Sequence, residues 1–263
     1  LCIDILCVSN YFPNFASQMM QRYFIYLSFD GTAYHGWQIQ PNGVSVQEVL
    51  QRCLSTLLRV PTEVTGAGRT DAGVHARVMV AHFDTEVELD VAQAAYKLNR
   101  MLPRDIAVDS VVAVDGEMHA RFSATSRTYH YYIHTRRDPF LRHYSLEMSY
   151  PLDFEAMNEA AAHLLTVTDF AAFCKTGADV KTTLCTVTEA RWERLDDTGR
   201  WCFVITANRF LRNMVRAVVG TLVEVGRGRI GIDEFKRIVA SGSRQRAGES
   251  MPGKALFLWD ITY

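Results

Sequence analysis

The 263-residue sequence predicts an α+β protein built from two fused β-α-β-β-α-β units. Two observations lead to this fold class: the spacing of apolar residues alternates between strand and helix periods along the chain, and the same order of elements occurs twice. The composition, 48% hydrophobic and 22% charged, is that of an ordinary globular protein. We therefore expect ferredoxin-like or RRM-like units with mostly antiparallel sheets and a cleft between them.

The first unit begins with an apolar strand and continues with a helix that has a clear start signal. Ser45 and Glu48 form a capping box, and apolar residues follow at helical spacing. A second helix begins after Asp90 and ends before Pro103. The predicted elements are strand Tyr23–Phe29, a helix from Ser45, strands Glu63–Ala67 and Val78–Phe83, helix Val91–Met101 and strand Ile106–Val114.

The second unit repeats this order of elements without repeating the sequence. Its predicted elements are strand Arg127–Thr135, helix Phe154–Leu165, strands Thr182–Arg194 and Trp201–Ala207, helix Phe210–Val225, helix Asp233–Ala240 and strand Leu256–Ile261. In the first of these strands Tyr129, Tyr131 and Ile133 share one face. We expect Leu256, at the start of the last strand, to be part of the core.

The predicted domains are residues 22–118 and 119–263, preceded by an extension over residues 1–21. That extension is apolar, lacks a cationic start and a cleavage site, and is followed by Met19 and Met20, so we expect translation to start there. The sequence has no apolar run of 18 residues and no zinc-like spacing of its six Cys, which predicts a cytoplasmic protein with reduced thiols.

The net charge of −1 conceals an uneven distribution. Residues 1–118 carry 8 basic and 13 acidic side chains, whereas residues 119–263 carry 20 and 16. The cations are 23 Arg and only 5 Lys, and the planar guanidinium binds phosphate and stacks on bases. This bias favours a nucleic-acid partner weakly.

The most unusual stretch is the run of small residues from Gly66 to Ala76, which joins two predicted strands. Three Gly and three Ala allow tight turns and a close approach to a ligand, and we expect polar groups at the tip from Arg69, Thr70, Asp71 and His75. The Asp71 carboxylate could act as a nucleophile, a general base or a metal ligand. Alternatively, it could hydrogen-bond the local backbone and hold the turn.

Four motifs in one order resemble the TruA family of pseudouridine synthases over nearly all of Arg22 to Tyr263. The first resemblance is AGRTDAGVHA at residues 67–76, which is similar to the family's active-site signature. The others are FDGTAYHGWQ at 29–38 followed by SVQE at 45–48, HARFSAT at 119–125 followed by Arg127, Tyr129 and Tyr131, and the late segment with Asn208, Phe210, MVR at 214–216 and Val219-Gly220.

The resemblance implies that a uridine at positions 38 to 40 of the tRNA anticodon stem-loop is converted to its C5-glycoside. It implies no cofactor and no metal, a homodimer, and Asp71 as the nucleophile that attacks either C1′ of the sugar or C6 of the base. A carboxylate beside an oxocarbenium-like sugar would stabilise it, as in glycosidases.

The resemblance also implies roles for three other residues. Arg69 takes the place of the extracted base, Tyr129 packs on the flipped base and helps to remove the C5 proton, and Arg216 pairs with Asp71. Arg209 and Arg212 depart from the family pattern. With Arg216 they have the spacing of one helical stripe, for which phosphate contact and a surface role are equally open.

The residues alone leave two rival functions open. A non-catalytic RNA-binding protein or RNA chaperone could use the same fold, although no RNP1-like segment is present and a binder would not need Asp71. A metal-dependent hydrolase could use Asp71 and His75, but further ligands with suitable spacing are missing from the sequence.

Overall fold

The computed structural model describes residues 20–178 and 180–263, and in them it has nine strands and five α-helices. In chain order they are β1 Gln21–Phe29, α1 Val46–Leu58, β2 Thr65–Gly66, β3 His75–Thr85, α2 Val91–Met101, β4 Ile106–Val114, β5 Ser126–His134, β6 Leu146–Glu147, α3 Phe154–His163, β7 Val187–Arg194, β8 Arg200–Ala207, α4 Met214–Gly226, α5 Ile232–Ala240 and β9 Leu256–Thr262. The predicted α+β class is confirmed. The predicted extension lies outside the described residues except for Met20 and Gln21, and Gln21 already belongs to β1.

The strands form one sheet in the order β4-β1-β3-β9-β5-β8-β7, with β2 paired to β3 and β6 to β5. Within the first unit the order is β4-β1-β3-β2, and within the second it is β9-β5-β8-β7. Each unit therefore places its strands in the order fourth, first, third, second, as a β-α-β-β-α-β unit does in ferredoxin-like folds. The mostly antiparallel character is confirmed, but the two units share a continuous sheet instead of having separate ones.

The junction of the two units lies on one edge of β3. β2 pairs with the later part of this edge, at Thr65↔His82 and Gly66↔Ala81. β9 pairs in parallel with its beginning, at His75↔Phe257 and Ala76↔Leu258. The chain between β2 and β3, which carries Asp71, therefore re-enters the sheet at His75, where the second unit joins it.

Two predicted strands are shorter in the structure. The strand expected at Glu63–Ala67 is reduced to β2, and the strand expected at Thr182–Arg194 begins only at Val187. Side chains satisfy backbone groups in the lost part of the second, since Asn208 Oδ1 accepts from Thr186 N at 2.8 Å. Oγ1 of Thr182 likewise accepts from the N–H of Leu184 at 3.1 Å, and such side-chain bonds compete with a strand ladder.

The outer edges of the sheet, β4 and β7, are each capped by an asparagine from a packed helix. Asn99 of α2 binds both the N–H and the C=O of Val108, each at 2.7 Å. Asn158 of α3 does the same to Trp192, at 2.6 and 3.0 Å. These amides satisfy edge groups that would otherwise be open to pairing with another strand.

Candidate active site

The loop that carries Asp71 rests on the turn after β1. The N–H of Gly73 donates to the carbonyl of Tyr34 at 3.3 Å. Gly36 has φ +88°, and a Cβ there would lie 2.2 Å from the carbonyl oxygen of Thr70. A Cβ at Gly31 would lie 2.0 Å from the carbonyl oxygen of Val74. Two of the sequence motifs are thus packed backbone to backbone, and only glycine permits this approach.

Asp71 pairs with Arg216 across the two units. Nη1 of Arg216 donates to Oδ2 of Asp71 at 2.8 Å, and 26% of the Asp71 side chain is exposed. The carboxylate is therefore reachable by a ligand and is held by a cation that lies 145 positions away in the sequence. Among the described residues, this contact replaces the local turn hydrogen bond that a structural aspartate would make.

Arg216 is fixed by the segment that precedes β9. Its Nε donates to the carbonyl of Met251, and the N–H of Met251 donates to the carbonyl of Arg216 at 3.1 Å. This segment crosses α4 at Gly220, where a Cβ would lie 1.8 Å from the carbonyl oxygen of Glu249. Gly220 therefore allows the contact that orients Arg216.

Tyr129 lies on β5 beside this pair. It is half-buried, and its ring meets the ring of Phe210 edge-on, with centroids 4.9 Å apart. Burial raises the pKa of Tyr129 to about 12, Asp71 adds to this increase and Arg127 opposes it. The phenol is therefore protonated at neutral pH. Tyr131 and Ile133, which the strand period places on the same face, are fully buried.

Arg127 is a functional candidate that the sequence indicated only as part of a motif. Its guanidinium donates to the carbonyls of Asn208 at 2.8 Å, Ala124 at 3.0 Å and Ala67 at 3.4 Å, and also to that of Arg121. Burial lowers its pKa. Arg127 thus links Ala67, at the base of the Asp71 loop, to the segment before β5 and to Asn208. No spacing rule predicts a bond from one guanidinium to four separate carbonyls.

Two polar residues of the loop occupy different environments. Arg69 is exposed at the loop. His75 belongs to β3, and its side chain is only 1% exposed. Its Nδ1 accepts from the N–H of Gly31 at 3.0 Å, and its Nε2 lies 3.0 Å from the carbonyl oxygen of Lys254. His75 therefore braces the loop and is not at its tip, where the sequence had suggested it.

The prediction that Arg209, Arg212 and Arg216 form one helical stripe was wrong. α4 begins at Met214, not at Phe210, because Asn213 adopts the left-handed conformation with φ 68°. Arg209 and Arg212 precede the helix. Nη1 of Arg209 donates to the carbonyl of Thr182 at 3.2 Å, and the N–H of Lys175 donates to the carbonyl of Arg212 at 3.1 Å.

Metal-ligand clusters and membrane-spanning helices are both absent from residues 20–178 and 180–263. In that part of the chain no three His, Cys, Asp or Glu side chains are grouped so that they could hold a metal ion. Nor is any helix there long and apolar enough to cross a membrane.

Comparison with known proteins assigns the family. The profile of a family described as tRNA pseudouridine synthase matches residues 25–123 and 160–263. The chain belongs to this family. A tRNA pseudouridine synthase A of Bacteroides fragilis is 57% identical over 245 residues, which cover 93% of this chain and 97% of that protein. The protein of the same name from Bacillus subtilis is 40% identical over 243 residues, or 90% and 97% of the two chains.

The profile of the tRNA pseudouridine synthase family covers most of the site. Arg69, Asp71 and Arg216 fall within its two matched ranges, whereas Arg127 and Tyr129 lie between them. The matched ranges also contain the turn after β1 and the helix around Gly220. Both backbone contacts that position the Asp71–Arg216 pair thus lie in segments that the family profile matches.

Proposed function

We propose that this protein converts uridine to pseudouridine at positions 38, 39 and 40 in the anticodon stem-loop of tRNA, with Asp71 as the nucleophile. The observation that carries this proposal is the partly exposed Asp71 carboxylate, held 2.8 Å from Arg216 beside Tyr129. The family profile and the names of the relatives support the substrate class and the reaction.

The reaction is an isomerisation and consumes no other reagent. The bond between N1 and C1′ breaks, the base turns, and a bond forms between C5 and C1′. C5 loses its proton, and N1 gains one. Asp71 starts the sequence by attack on C1′ or on C6, and both routes use the carboxylate as a nucleophile that forms a temporary covalent bond. Arg216 orients this carboxylate and balances its charge.

Tyr129 acts in its neutral form. With a pKa of about 12, its phenol keeps the proton at neutral pH. It therefore offers a ring face and an O–H donor to a base placed against Asp71. If it accepts the C5 proton, its own proton has to leave in the same step.

Arg69 supports extraction of the target base. A uridine in a stem or loop stack must leave that stack before a side chain can reach C1′ or C6. The exposed guanidinium of Arg69 lies two residues before Asp71, and a planar cation can stack in the space that the base vacates. Two arginines that precede α4, the partly buried Arg209 and the exposed Arg212, would contact phosphates.

The expected assembly is a cytoplasmic homodimer, which follows from the resemblance to the family. Sedimentation equilibrium at micromolar protein would give twice the chain mass of 29.8 kDa. A monomer that still turned over tRNA would refute the dimer part of the proposal and leave the reaction intact.

Tritium release from tRNA labelled at C5 of uridine tests the reaction. We expect release by the wild-type protein, unchanged by EDTA, and none by Asp71→Asn at equal tRNA occupancy. The matched control is Asp84→Asn, which also removes an aspartate from an arginine, since Asp84 pairs with Arg22 at 2.7 Å. That variant should retain the wild-type rate.

Each other outcome has a definite meaning. Binding of tRNA without release by the wild type would favour a non-catalytic RNA-binding protein. Loss of release on adding EDTA would favour metal-dependent chemistry. The salt dependence of binding tests the phosphate contacts separately. If arginines contact phosphates, tRNA affinity should fall steeply with salt, and an affinity that is flat between low and moderate salt would contradict those contacts.

A further inference from the structure

Phe122 is an exposed aromatic residue on a firmly held turn. Its side chain is 75% exposed, in the turn that precedes β5. Nδ1 of His119 accepts from the N–H groups of Arg121 and Phe122, at 3.0 and 3.3 Å. The N–H of Ser123 donates to the carbonyl of His119 at 2.9 Å. A ligand that stacks on this ring would therefore lose little binding energy to ordering the backbone beneath it.

Two neighbouring groups make the ring suited to a nucleobase. The guanidinium of Arg121 lies 5.5 Å from the centroid of the Phe122 ring, and the centroid of the His119 ring lies 4.4 Å from it. Aromatic rings and arginine side chains together are the usual stacking surface for unpaired bases. A partner protein would gain less from such a site, because the exposed cation would need a carboxylate opposite it.

Arg127 ties this turn to the catalytic loop. The same nitrogen, Nη2, donates to the carbonyls of Arg121 and Ala67, so these two oxygens lie within about 6 Å of each other. Ala67 begins the segment that leads to Asp71. The turn that carries Phe122 therefore lies next to the start of the Asp71 loop, and an RNA strand bound at Asp71 can also reach Phe122.

We propose that Phe122 and Arg121 form a stacking platform for an unpaired nucleobase of the same tRNA, separate from the base that reacts at Asp71. The inference rests on the proposed function, because it needs tRNA as the substrate. The platform holds a base of the anticodon loop in place while the target base reacts at Asp71. It contributes to binding and leaves the chemical step unchanged.

Steady-state kinetics of tritium release tests the platform in four variants. Phe122→Ala and Phe122→Leu should raise KM for tRNA about five- to a hundredfold, the range for one stacked base, with kcat within twofold of the wild type. Phe122→Tyr should behave like the wild type. Arg121→Ala should raise KM and also reduce the salt dependence of binding, which Phe122→Ala should leave unchanged.

The matched control is Tyr96→Ala. Tyr96 is 62% exposed on α2, and α2 packs against β4 at the end of the sheet away from the junction. This variant should keep the wild-type KM.

Three results would overturn the platform. The first is an unchanged KM in Phe122→Ala, and the second is a wild-type KM in Phe122→Leu, which would show apolar contact without stacking. The third is a changed sedimentation mass in Phe122→Ala, which would assign the residue to a contact between chains. Absence of tritium release by the wild type would instead refute the proposed function, and tRNA affinity measured on the same variants would still decide the platform.

Discussion

Gly220 offers the sharpest test of how the backbone sets the active site. It lies in α4 and is buried. In Gly220→Ala the new methyl would lie 1.8 Å from the carbonyl oxygen of Glu249 and 3.0 Å from its carbonyl carbon. Ordinary carbon contacts begin at about 3.5 Å, so the segment at Glu249 has to retreat by roughly 1.5 Å.

This retreat breaks contacts that reach Asp71. The segment is attached to α4 by a bond from the N–H of Gly248 to Oγ1 of Thr221, at 2.9 Å, and by the two bonds between Met251 and Arg216. Overpacking typically lowers the free energy of unfolding by about 1–3 kcal/mol, whereas replacing glycine by alanine in a helix raises it by up to about 1 kcal/mol. We expect a net loss of about 1–2 kcal/mol, which lowers Tm by about 2–8 °C.

The effect on catalysis should be larger than the effect on stability. A displacement of about 1 Å at a positioning residue can cost about a hundredfold in rate, so we expect kcat of Gly220→Ala to fall ten- to a hundredfold. Calorimetry gives Tm, and tritium release at saturating tRNA well below Tm gives kcat. The control is Gly116→Ala, where a Cβ meets nothing within 4 Å. Wild-type Tm and kcat in Gly220→Ala would refute the packing argument, and a lower Tm with unchanged kcat would refute its link to Asp71.

Three further predictions concern other parts of the molecule. Asn99→Ala and Asn158→Ala each remove two bonds to an edge strand and should each lower the free energy of unfolding by about 1–3 kcal/mol in urea titrations; unchanged midpoints would contradict this. Burial lowers the pKa of His82 from 6.5 to about 4, and its Nδ1 accepts from the N–H of Ala120. The unfolded chain then takes up a proton before the folded one, so stability present above pH 6.5 is lost as the pH falls towards 4, by at most about 3 kcal/mol. His82→Gln should abolish that part of the loss, and an identical acid profile would show that the histidine is not its source. Arg216→Lys keeps the charge but cannot make both of the guanidinium contacts, so kcat should fall at least about tenfold with Tm within a few degrees. A wild-type kcat would show that charge alone suffices.

Local sequence signals predicted most of the individual elements. Helix Val91–Met101 and strand Ile106–Val114 have the predicted bounds, because their caps and apolar periods depend on neighbouring residues only. Ser45 also behaves as predicted, since its Oγ accepts from the N–H of Glu48 at 3.2 Å. The predicted β-α-β-β-α-β order of elements is present in both units.

The joining of the units was not accessible from local signals. β9 and β2 both pair with the same edge of β3. Tertiary packing decides which of the two strands pairs with each residue of that edge. The start of α4 was misplaced because the helical pattern of apolar residues continues upstream through Leu211. Asn213 was the available signal, since asparagine tolerates the left-handed conformation that ends this upstream segment.

The site exists only where the two units meet. Asp71 comes from the first unit, and Tyr129 and Arg216 come from the second, so neither unit alone carries the three groups. The parallel pairing of β9 with β3 involves only two residue pairs, His75↔Phe257 and Ala76↔Leu258, whereas β5 and β9 pair over six. The shorter ladder, between β3 and β9, is the one that directly follows the Asp71 loop. A change that loosens it should therefore misplace Asp71 against Arg216 before it unfolds either unit, and catalysis should report damage at this junction earlier than stability does.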